Sequence, residues 1–388
     1  MALLGKFVIT GGPVSGKRTV ISTLEQGLIE KGYRVFIINN TFSELTKSGI
    51  NPYKSLPLPN DKFVELLVSQ QLSKEAMYDE VISAMPKEEK CVIICDRGVF
   101  DNKTRCEDES FDKILSRLNL NESDLNSTYD MVIHLTTSAI GKIKYYNGSD
   151  APMPKDEAIK VDKRTLSSWV GHNNLMVIDN STDFEGKVKK VLDYIYEYLG
   201  NSMKSVKQLK YLINLNKSKL DFIKDKETFK LEITQFYLTD NTKEDTYERR
   251  LRLINHNGNT SYYFTVQKKY DQGLSKVVTN YKMTEKEYNS LLEFYDVKAS
   301  IEKIRYMFVQ NARYYKLDVF SQIEDFAILE VDHTIDQQEV LFPVDMEIVE
   351  EVTNNPSYST AAIAANLDFQ VDQLKLRKKR LDELLRKE

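Results

Sequence analysis

The sequence predicts two domains of different fold class, an α/β doubly wound parallel sheet followed by an α+β antiparallel barrel. Apolar segments alternate with amphipathic helical segments over residues 1–200, which is typical of a parallel sheet covered by helices. After residue 230 the apolar residues recur with a period of two, which is typical of antiparallel strands. A chain of 388 residues is long enough for both. We predict a first domain at 1–200, a helical linker at 201–228, a second domain at 229–358 and a charged helical tail at 359–388.

The first predicted strand, residues 7–10, leads directly into a glycine-rich turn. Gly11, Gly16 and Lys17 have the spacing of a P-loop, whose backbone N–H groups surround phosphate. Lys17 would reach the outer phosphates, and the helix that follows would direct its positive dipole end at them. The alternative is a glycine turn before an ordinary helix, but the strand and the amphipathic helix favour phosphate binding. The predicted nucleotide-binding residues of the turn are Gly11, Gly12, Ser15, Gly16, Lys17, Arg18 and Thr19.

Arg18 departs from the P-loop pattern. It stands where the motif has the Ser or Thr that binds Mg²⁺, and Thr19 supplies a hydroxyl one position late. The motif therefore supports nucleotide binding more strongly than efficient phosphoryl transfer.

Four further strands and five helices complete the predicted first domain. Asp96 and Arg97 follow the apolar strand at 91–95, where a carboxylate holds Mg²⁺ or its water in P-loop proteins. A turn that caps the next helix is the alternative. Asn180 follows the last strand and should lie at the same edge of the sheet. The strands are predicted at 33–38, 91–95, 130–135 and 175–179, and the helices at 20–31, 63–85, 108–118, 158–170 and 184–199.

The helix at 158–170 carries Lys160, Lys163 and Arg164. In P-loop kinases such a basic helix is a lid that grips phosphates. The alternative is a helix face that points to solvent, and the sequence leaves both open.

Four motifs occur in one order in the first half: ITGGPVSGK, VIICDRG, WVGH and IDNSTDFEGK. In combination they resemble the N-terminal AAA-type P-loop domain of the TRPL translocation defect proteins, over most of residues 5–200. The resemblance implies binding of GTP or ATP, with GTP preferred.

The second half is predicted to contain seven antiparallel strands, which indicate a closed barrel or a strongly curved sheet. One face of these strands is charged, and Leu251, Leu253, Ile304, Leu329 and Val331 mark the other as buried. A face that carries both cations and carboxylates suits a site for polyphosphate or phosphoinositide. The alternative is that this charged face points to solvent. The strands are 231–238, 248–253, 261–269, 277–283, 303–310, 314–320 and 326–332.

The stretches RLR (250–252), KIR (303–305), LD (317–318) and LEVD (329–332) resemble the CYTH, or triphosphate tunnel, domain over residues 229–355. The translocation defect proteins pair the same two domains. The family's Glu-x-Glu-x-Lys strand is degraded to Glu232, Thr234 and Phe236, which weakens a triphosphatase interpretation. Lys268 and Lys269 compete for one inward position. The resemblance implies the phosphate-binding residues Arg250, Arg252, Lys268, Lys269, Lys303, Arg305 and Lys316, and the metal ligands Glu232, Asp318, Glu330 and Asp332.

Composition restricts the class of protein. Acidic and basic residues are interspersed and the net charge is −4, so we expect no nucleic-acid partner. Cys91, Cys95 and Cys106 are too few for a disulfide framework, which predicts a reducing, cytoplasmic location. No signal-peptide pattern is present, and no apolar stretch approaches the ~18 residues of a membrane-spanning helix.

The hypothesis from sequence is a GTP-binding regulatory protein of membrane trafficking, with Mg²⁺ as cofactor and with ATP as the other candidate nucleotide. Its barrel would bind phosphoinositide or polyphosphate and recruit the protein to membranes. The alternative is an enzyme, a P-loop small-molecule kinase fused to an inorganic triphosphatase-like domain. Turnover of nucleotide or triphosphate by the pure protein would favour the enzyme over the regulatory protein.

Overall fold

The computed structural model describes residues 2–51, 57–146, 153–200, 206–225, 227–239, 247–269, 275–334, 340–353 and 355–365. Within these ranges the side chains of residues 206–207, 268–269, 275–279 and 332–334 lie outside the description. Contacts divide the chain into two compact units, with the main boundary between Lys207 and Gln208.

The first unit is built on a five-stranded parallel sheet. Its strand order is β2-β3-β1-β4-β5, and each pair of neighbours is parallel. The short apolar strands suit a sheet that is buried on both faces. The predicted doubly wound α/β fold is thereby confirmed. The strands are β1 (Leu3–Gly11), β2 (Arg34–Ile38), β3 (Cys91–Asp96), β4 (Met131–Leu135) and β5 (Leu175–Ile178).

Helices cover both faces of this sheet. Phe7 of β1 packs in a buried cluster with Leu24 and Val191, which lie on the first and last helices of the unit. Its neighbour Lys6 points to the other face and donates to Asp79 on the long third helix, at 2.7 Å. The helices are α1 (Lys17–Glu30), α2 (Thr41–Lys47), α3 (Asn60–Ser83), α4 (Asp108–Arg117), α5 (Glu122–Ser127), α6 (Ile143–Tyr146), α7 (Lys155–Ser167) and α8 (Phe184–Tyr198), with a 3₁₀ helix at Val99–Arg105.

The second sheet is antiparallel, as predicted, and contains nine strands in the described part of the chain. Their order is β10-β9-β8-β7-β11-β12-β13-β6-β14, so β10 and β14 stand at the two ends of the hydrogen-bonded sheet. The strands are β6 (Val206–Asn214), β7 (Phe229–Leu238), β8 (Tyr247–His256), β9 (Asn259–Lys269), β10 (Ser275–Met283), β11 (Val297–Gln310), β12 (Arg313–Phe320), β13 (Phe326–Thr334) and β14 (Ile348–Glu351).

Two helices pack on opposite faces of this second sheet. Helix α9 (Glu285–Phe294) places Tyr288 beside Leu251, in an apolar cluster on the outer face. Helix α10 (Thr360–Ala365) packs Ile363 in a cluster with Ile301 on the other, inner face. The inner face therefore has an apolar end, and its remaining polar residues form the second candidate site.

The predicted helical linker at 201–228 is wrong over Val206–Asn214, which form strand β6. Leu209, Tyr211 and Ile213 alternate along this strand and are buried on one face. Apolar residues that recur with a period of two indicate a strand and not a helix. A 3₁₀ helix follows at Asp221–Lys224. Of the predicted tail, Thr360–Ala365 are helical, whereas residues 366–388 lie outside the described residues.

Candidate phosphate-binding sites

The turn between β1 and α1 requires its glycines. Gly11 and Gly16 have φ angles of 140° and 86°, which disfavour residues with a side chain. A Cβ atom at Gly11 would lie 2.1 Å from the carbonyl oxygen of Leu135, and one at Gly16 would lie 2.4 Å from the ring of Phe184. Helix α1 starts without a side-chain cap among the described residues. Its first N–H groups and positive dipole end are thus available to an anion.

Lys17 folds back over this turn. Its Nζ donates to the carbonyl oxygens of Gly11 and Gly12 at 3.0 and 2.8 Å, and to Ser15 Oγ at 3.1 Å. Burial, and then the nearby Arg97 guanidinium, lower the pKa of Lys17 to about 7. The ammonium is therefore positioned by the loop but poorly stabilised as a cation. Arg18 and Thr19 begin α1 with exposed side chains.

Asp96 and Arg97 lie at the carboxyl end of β3, beside the same turn. Arg97 has a φ of 70° and donates to the carbonyl oxygen of Gly11 at 3.0 Å. Burial raises the pKa of the Asp96 carboxyl, whereas the neighbouring Arg97 and Lys17 cations lower it. The structure thus brings the two predicted residues to the P-loop. A partly buried carboxylate at this position fits a Mg²⁺ ion or its water.

Asp101, which the sequence analysis missed, anchors this corner. It is buried and accepts from the Thr10 hydroxyl, from Arg97 at 2.6 Å, from the Gly98 amide at 3.0 Å and from the Trp169 indole at 3.1 Å. One carboxylate therefore fixes the arginine next to the P-loop.

Asp162 on α7 is a second residue that the sequence analysis missed. Its Oδ1 accepts from the amides of Gly12 and Thr137, at 3.0 and 2.8 Å, and lies 3.3 Å from Nε2 of the buried His134. Although burial favours the neutral acid, the imidazole and the two amides hold the pKa of Asp162 below its usual value. Helix α7 thus faces the P-loop with a carboxylate, while its lysines Lys160 and Lys163 are exposed.

Asn180, after β5, holds the loop that follows β4. Its Nδ2 donates to the carbonyl oxygens of Thr137 and Ile140 at 2.8 and 2.7 Å, and its Oδ1 accepts from Lys187 at 2.8 Å. The side chain lies at the predicted edge, with its amide engaged in protein contacts. A contact between Asn180 and a nucleotide stays a prediction.

The second site is the inner face of the second sheet. Gln235 on β7 lies opposite Arg252 on β8, and Ile233 lies opposite Lys303 on β11, so these side chains share one face. We call the set of basic side chains on this face the cationic face, and it comprises Lys210, Arg250, Arg252, Lys303, Arg305 and Lys316.

Two buried carboxylates neutralise part of the cationic face. Asp318 accepts from Lys303 at 2.6 Å and from two nitrogens of Arg305 at 2.7 Å each. Glu330 lies 2.9 Å from Lys210 and 3.4 Å from Arg305. Despite burial, these cations hold the pKa of both carboxyls below their usual values. Both side chains therefore remain ionised and paired.

Arg252 is less well neutralised than Arg305. It donates to Thr265 Oγ1 at 3.0 Å and to Asn280 Oδ1 at 2.8 Å, which are neutral partners. Burial, and then the Arg250 and Arg305 guanidiniums, lower the pKa of Arg252 to about 9. The cationic face thus retains positive charge at the β8 side.

The prediction that Glu232 is a metal ligand on the cationic face is wrong. The pairing of β7 turns Leu231, Ile233 and Gln235 inward, so Glu232 lies on the opposite face. Its side chain is 56% exposed and accepts from Lys230 at 2.7 Å. The side chains of Lys268, Lys269 and Asp332 lie outside the description. Within the described residues, no group of three or more His, Cys, Asp or Glu side chains could hold a metal ion.

Residues 6–187 match the family described as AAA domain. The matched segment lies within the first unit and contains the P-loop turn. The part of the chain that is described contains no helix both long and apolar enough to cross a membrane. No curated protein matches the chain.

Three solved structures show partial similarity. The inorganic triphosphatase NE1496 is 23% identical, with 42% of this chain and 96% of that chain covered and a TM-score of 0.31. The PH1819 protein of Pyrococcus horikoshii OT3 is 16% identical. The match covers 45% of this chain and 89% of that chain, with a TM-score of 0.25. A conserved hypothetical protein of Pyrococcus furiosus, Pfu-838710-001, is 16% identical. The match covers 36% of this chain and 82% of that chain, with a TM-score of 0.25. Similarities this low assign no reaction to the chain.

Proposed function

We propose that the first unit binds a nucleoside triphosphate, GTP in preference to ATP, and that the second unit binds a polyanionic phosphate. The observation that carries the proposal is the partly buried Lys17 ammonium at the P-loop, 2.8 Å from the carbonyl oxygen of Gly12. Burial disfavours this charge, and phosphate oxygens would stabilise it through short charge-assisted hydrogen bonds. The match of residues 6–187 to AAA domains supports the nucleotide as the ligand.

Mg²⁺ is the cofactor that this domain class implies, and Asp96 fits it. Its carboxylate would hold the ion or its water, and Mg²⁺ would neutralise charge on the phosphates. Thr19 is the proposed second ligand, although its side chain is exposed at the start of α1. Arg18 supplies no hydroxyl at the usual position, which favours a regulatory role over efficient turnover.

The ligand proposed for the cationic face is a group with several adjacent phosphates. A phosphoinositide headgroup and free polyphosphate share this chemistry, since both offer oxygens to arginine and lysine. The proposed trafficking role and recruitment to membranes rest on the resemblance to TRPL translocation defect proteins. The alternative, a kinase fused to a triphosphatase, draws on the same two sites.

The first test separates binding from turnover. We expect the purified protein to bind GTP and ATP but to turn them over far more slowly than the ~1–100 per second of kinases. Arg18→Thr should raise turnover or its dependence on Mg²⁺, because it restores the missing hydroxyl. Phosphate release measures the rate, and Lys113→Thr on the exposed side of α4 is the control. Kinase-like turnover by the unmodified protein would favour the enzyme alternative.

The lowered pKa of Lys17 predicts a pH-dependent nucleotide affinity. Free protein loses the Lys17 proton above a pKa of about 7, whereas bound phosphate favours the charged ammonium. Nucleotide binding should therefore take up a proton, and the affinity should fall about tenfold per pH unit above the free pKa. Calorimetry in buffers of different ionisation enthalpy counts this proton. Equal heats in all buffers above neutral pH would contradict the prediction.

The stability of the nucleotide-free protein should change in the opposite direction. The Lys17 pKa is about 7 in the folded chain and 10.5 in its usual environment. Between these values the unfolded chain binds more protons, so this residue makes folding more favourable as pH rises.

A further inference from the structure

We infer that the cationic face binds its polyanionic phosphate without a divalent metal ion. The inference rests on the proposed function of the second unit and specifies how that site works. The resemblance to triphosphate tunnel domains implies Mg²⁺ there, and the described donors do not fit it.

The buried carboxylates of this face are already engaged by cations. Both oxygens of Asp318 accept from Lys303 or Arg305, at 2.6 to 2.7 Å, and its side chain is 2% exposed. A metal ion bound to Asp318 would displace these cations and leave them buried without a counter-charge, which is strongly unfavourable. Asp318 is therefore a counter-ion of the protein's own cations.

Strand β7 supplies no further carboxylate to this face. Its inward residues are Leu231, Ile233, Gln235 and Tyr237, all of them buried. Divalent cations such as Mg²⁺ require several oxygen ligands, with carboxylates as the charged ones. Two apolar side chains, an amide and a phenol do not replace them.

The arginines of β8, in contrast, have unused donors. The Nε atoms of Arg250 and Arg252 are buried and have no hydrogen-bond partner among the residues that the structure describes. A buried donor without a partner is costly, and a phosphate oxygen would satisfy it. The planar guanidinium is also the side chain best suited to bind phosphate through two parallel hydrogen bonds.

The charge balance leads to the same conclusion. The cationic face carries six basic side chains, and the described carboxylates near them are Glu248, Asp318 and Glu330. Burial is the main cause of the lowered pKa of Arg252, and the neighbouring Arg250 and Arg305 guanidiniums lower it further. A free polyanion would balance it directly, whereas complexation by Mg²⁺ would reduce the charge of the ligand.

The test measures tripolyphosphate binding by calorimetry in the full-length Lys17→Met variant, in which the P-loop contribution is removed. We expect binding in metal-depleted buffer that is as tight as, or tighter than, binding with Mg²⁺. Arg252→Gln in the same background should weaken it at least about tenfold, because a charged donor to phosphate is lost. Lys230→Gln, on the opposite face of β7, is the matched control.

Each outcome decides between the proposals. Binding that requires Mg²⁺ would overturn the metal-free inference and leave the proposed polyanion site standing. No binding in either buffer would overturn both. Melting curves show whether each variant is folded. If the Arg252→Gln variant is not folded, Arg250→Gln gives a second test of the same site. Phosphatidylcholine vesicles with and without phosphatidylinositol bisphosphate, tested in parallel, distinguish a lipid headgroup from free polyphosphate.

Discussion

Lys17→Met should abolish nucleotide binding and leave the fold intact. The substitution keeps most of the side-chain volume but removes a cation whose Nζ lies 2.8 to 3.1 Å from three oxygens of the loop. Loss of a charged partner at a desolvated site costs about 3 kcal/mol or more, which corresponds to about a hundredfold in affinity. Calorimetric titration with GTP and with ATP measures it.

The matched control for this experiment is Lys113→Met, which removes an exposed lysine of α4. Its nucleotide affinity should equal that of the unmodified protein. If Lys17→Met bound GTP and ATP with unchanged affinity, the P-loop assignment would be wrong.

Asp101→Ala should strongly destabilise the first unit. The substitution removes the acceptor of four donors and leaves the Gly98 amide and the Trp169 indole buried without a partner. It also removes the counter-charge of Arg97, 2.6 Å away. Because the Arg97 side chain is partly exposed, we expect the loss to lie near the lower end of the about 3–5 kcal/mol that breaking a fully buried pair costs. Urea unfolding followed by circular dichroism measures the loss.

Asp156→Ala is the control for the buried carboxylate. Asp156 is exposed in the first turn of α7, where a carboxylate contributes about 0.3–1 kcal/mol through the helix dipole. An Asp101→Ala protein as stable as this control would show that the four hydrogen bonds contribute little.

The features that the sequence predicted correctly are encoded in neighbouring residues. The P-loop turn lies within nine residues, and its glycines are required by backbone angles and by close contact with Leu135. Asp101 and Asp162 could not be found in this way, since their partners Thr10 and Gly12 are 91 and 150 residues away. Asp101 also accepts from Gly98 and Arg97 nearby in the sequence, but no local pattern shows that it reaches Thr10 as well, or that Asp162 accepts from the distant amide of Gly12.

The inward face of β7 was assigned incorrectly for a different reason. Both faces of the strand carry apolar residues, because α9 covers the outer face at Phe236 while Ile233 is buried on the inner face. The alternation of residue types then does not show which face of β7 points inward. A shift of the register by one residue would exchange the inner and outer faces. The pairing of Gln235 with Arg252 decides the register, and only the folded sheet shows it.

Trp169 has a consequence for how this protein can be observed. It is the one tryptophan of the chain, and its indole N–H donates to the Asp101 carboxylate that also holds Arg97. If the phosphate of a bound nucleotide draws Arg97 away from Asp101, the charge around the indole changes, and we expect the tryptophan fluorescence to change with it. Trp169 would then report occupancy of the P-loop without an added label.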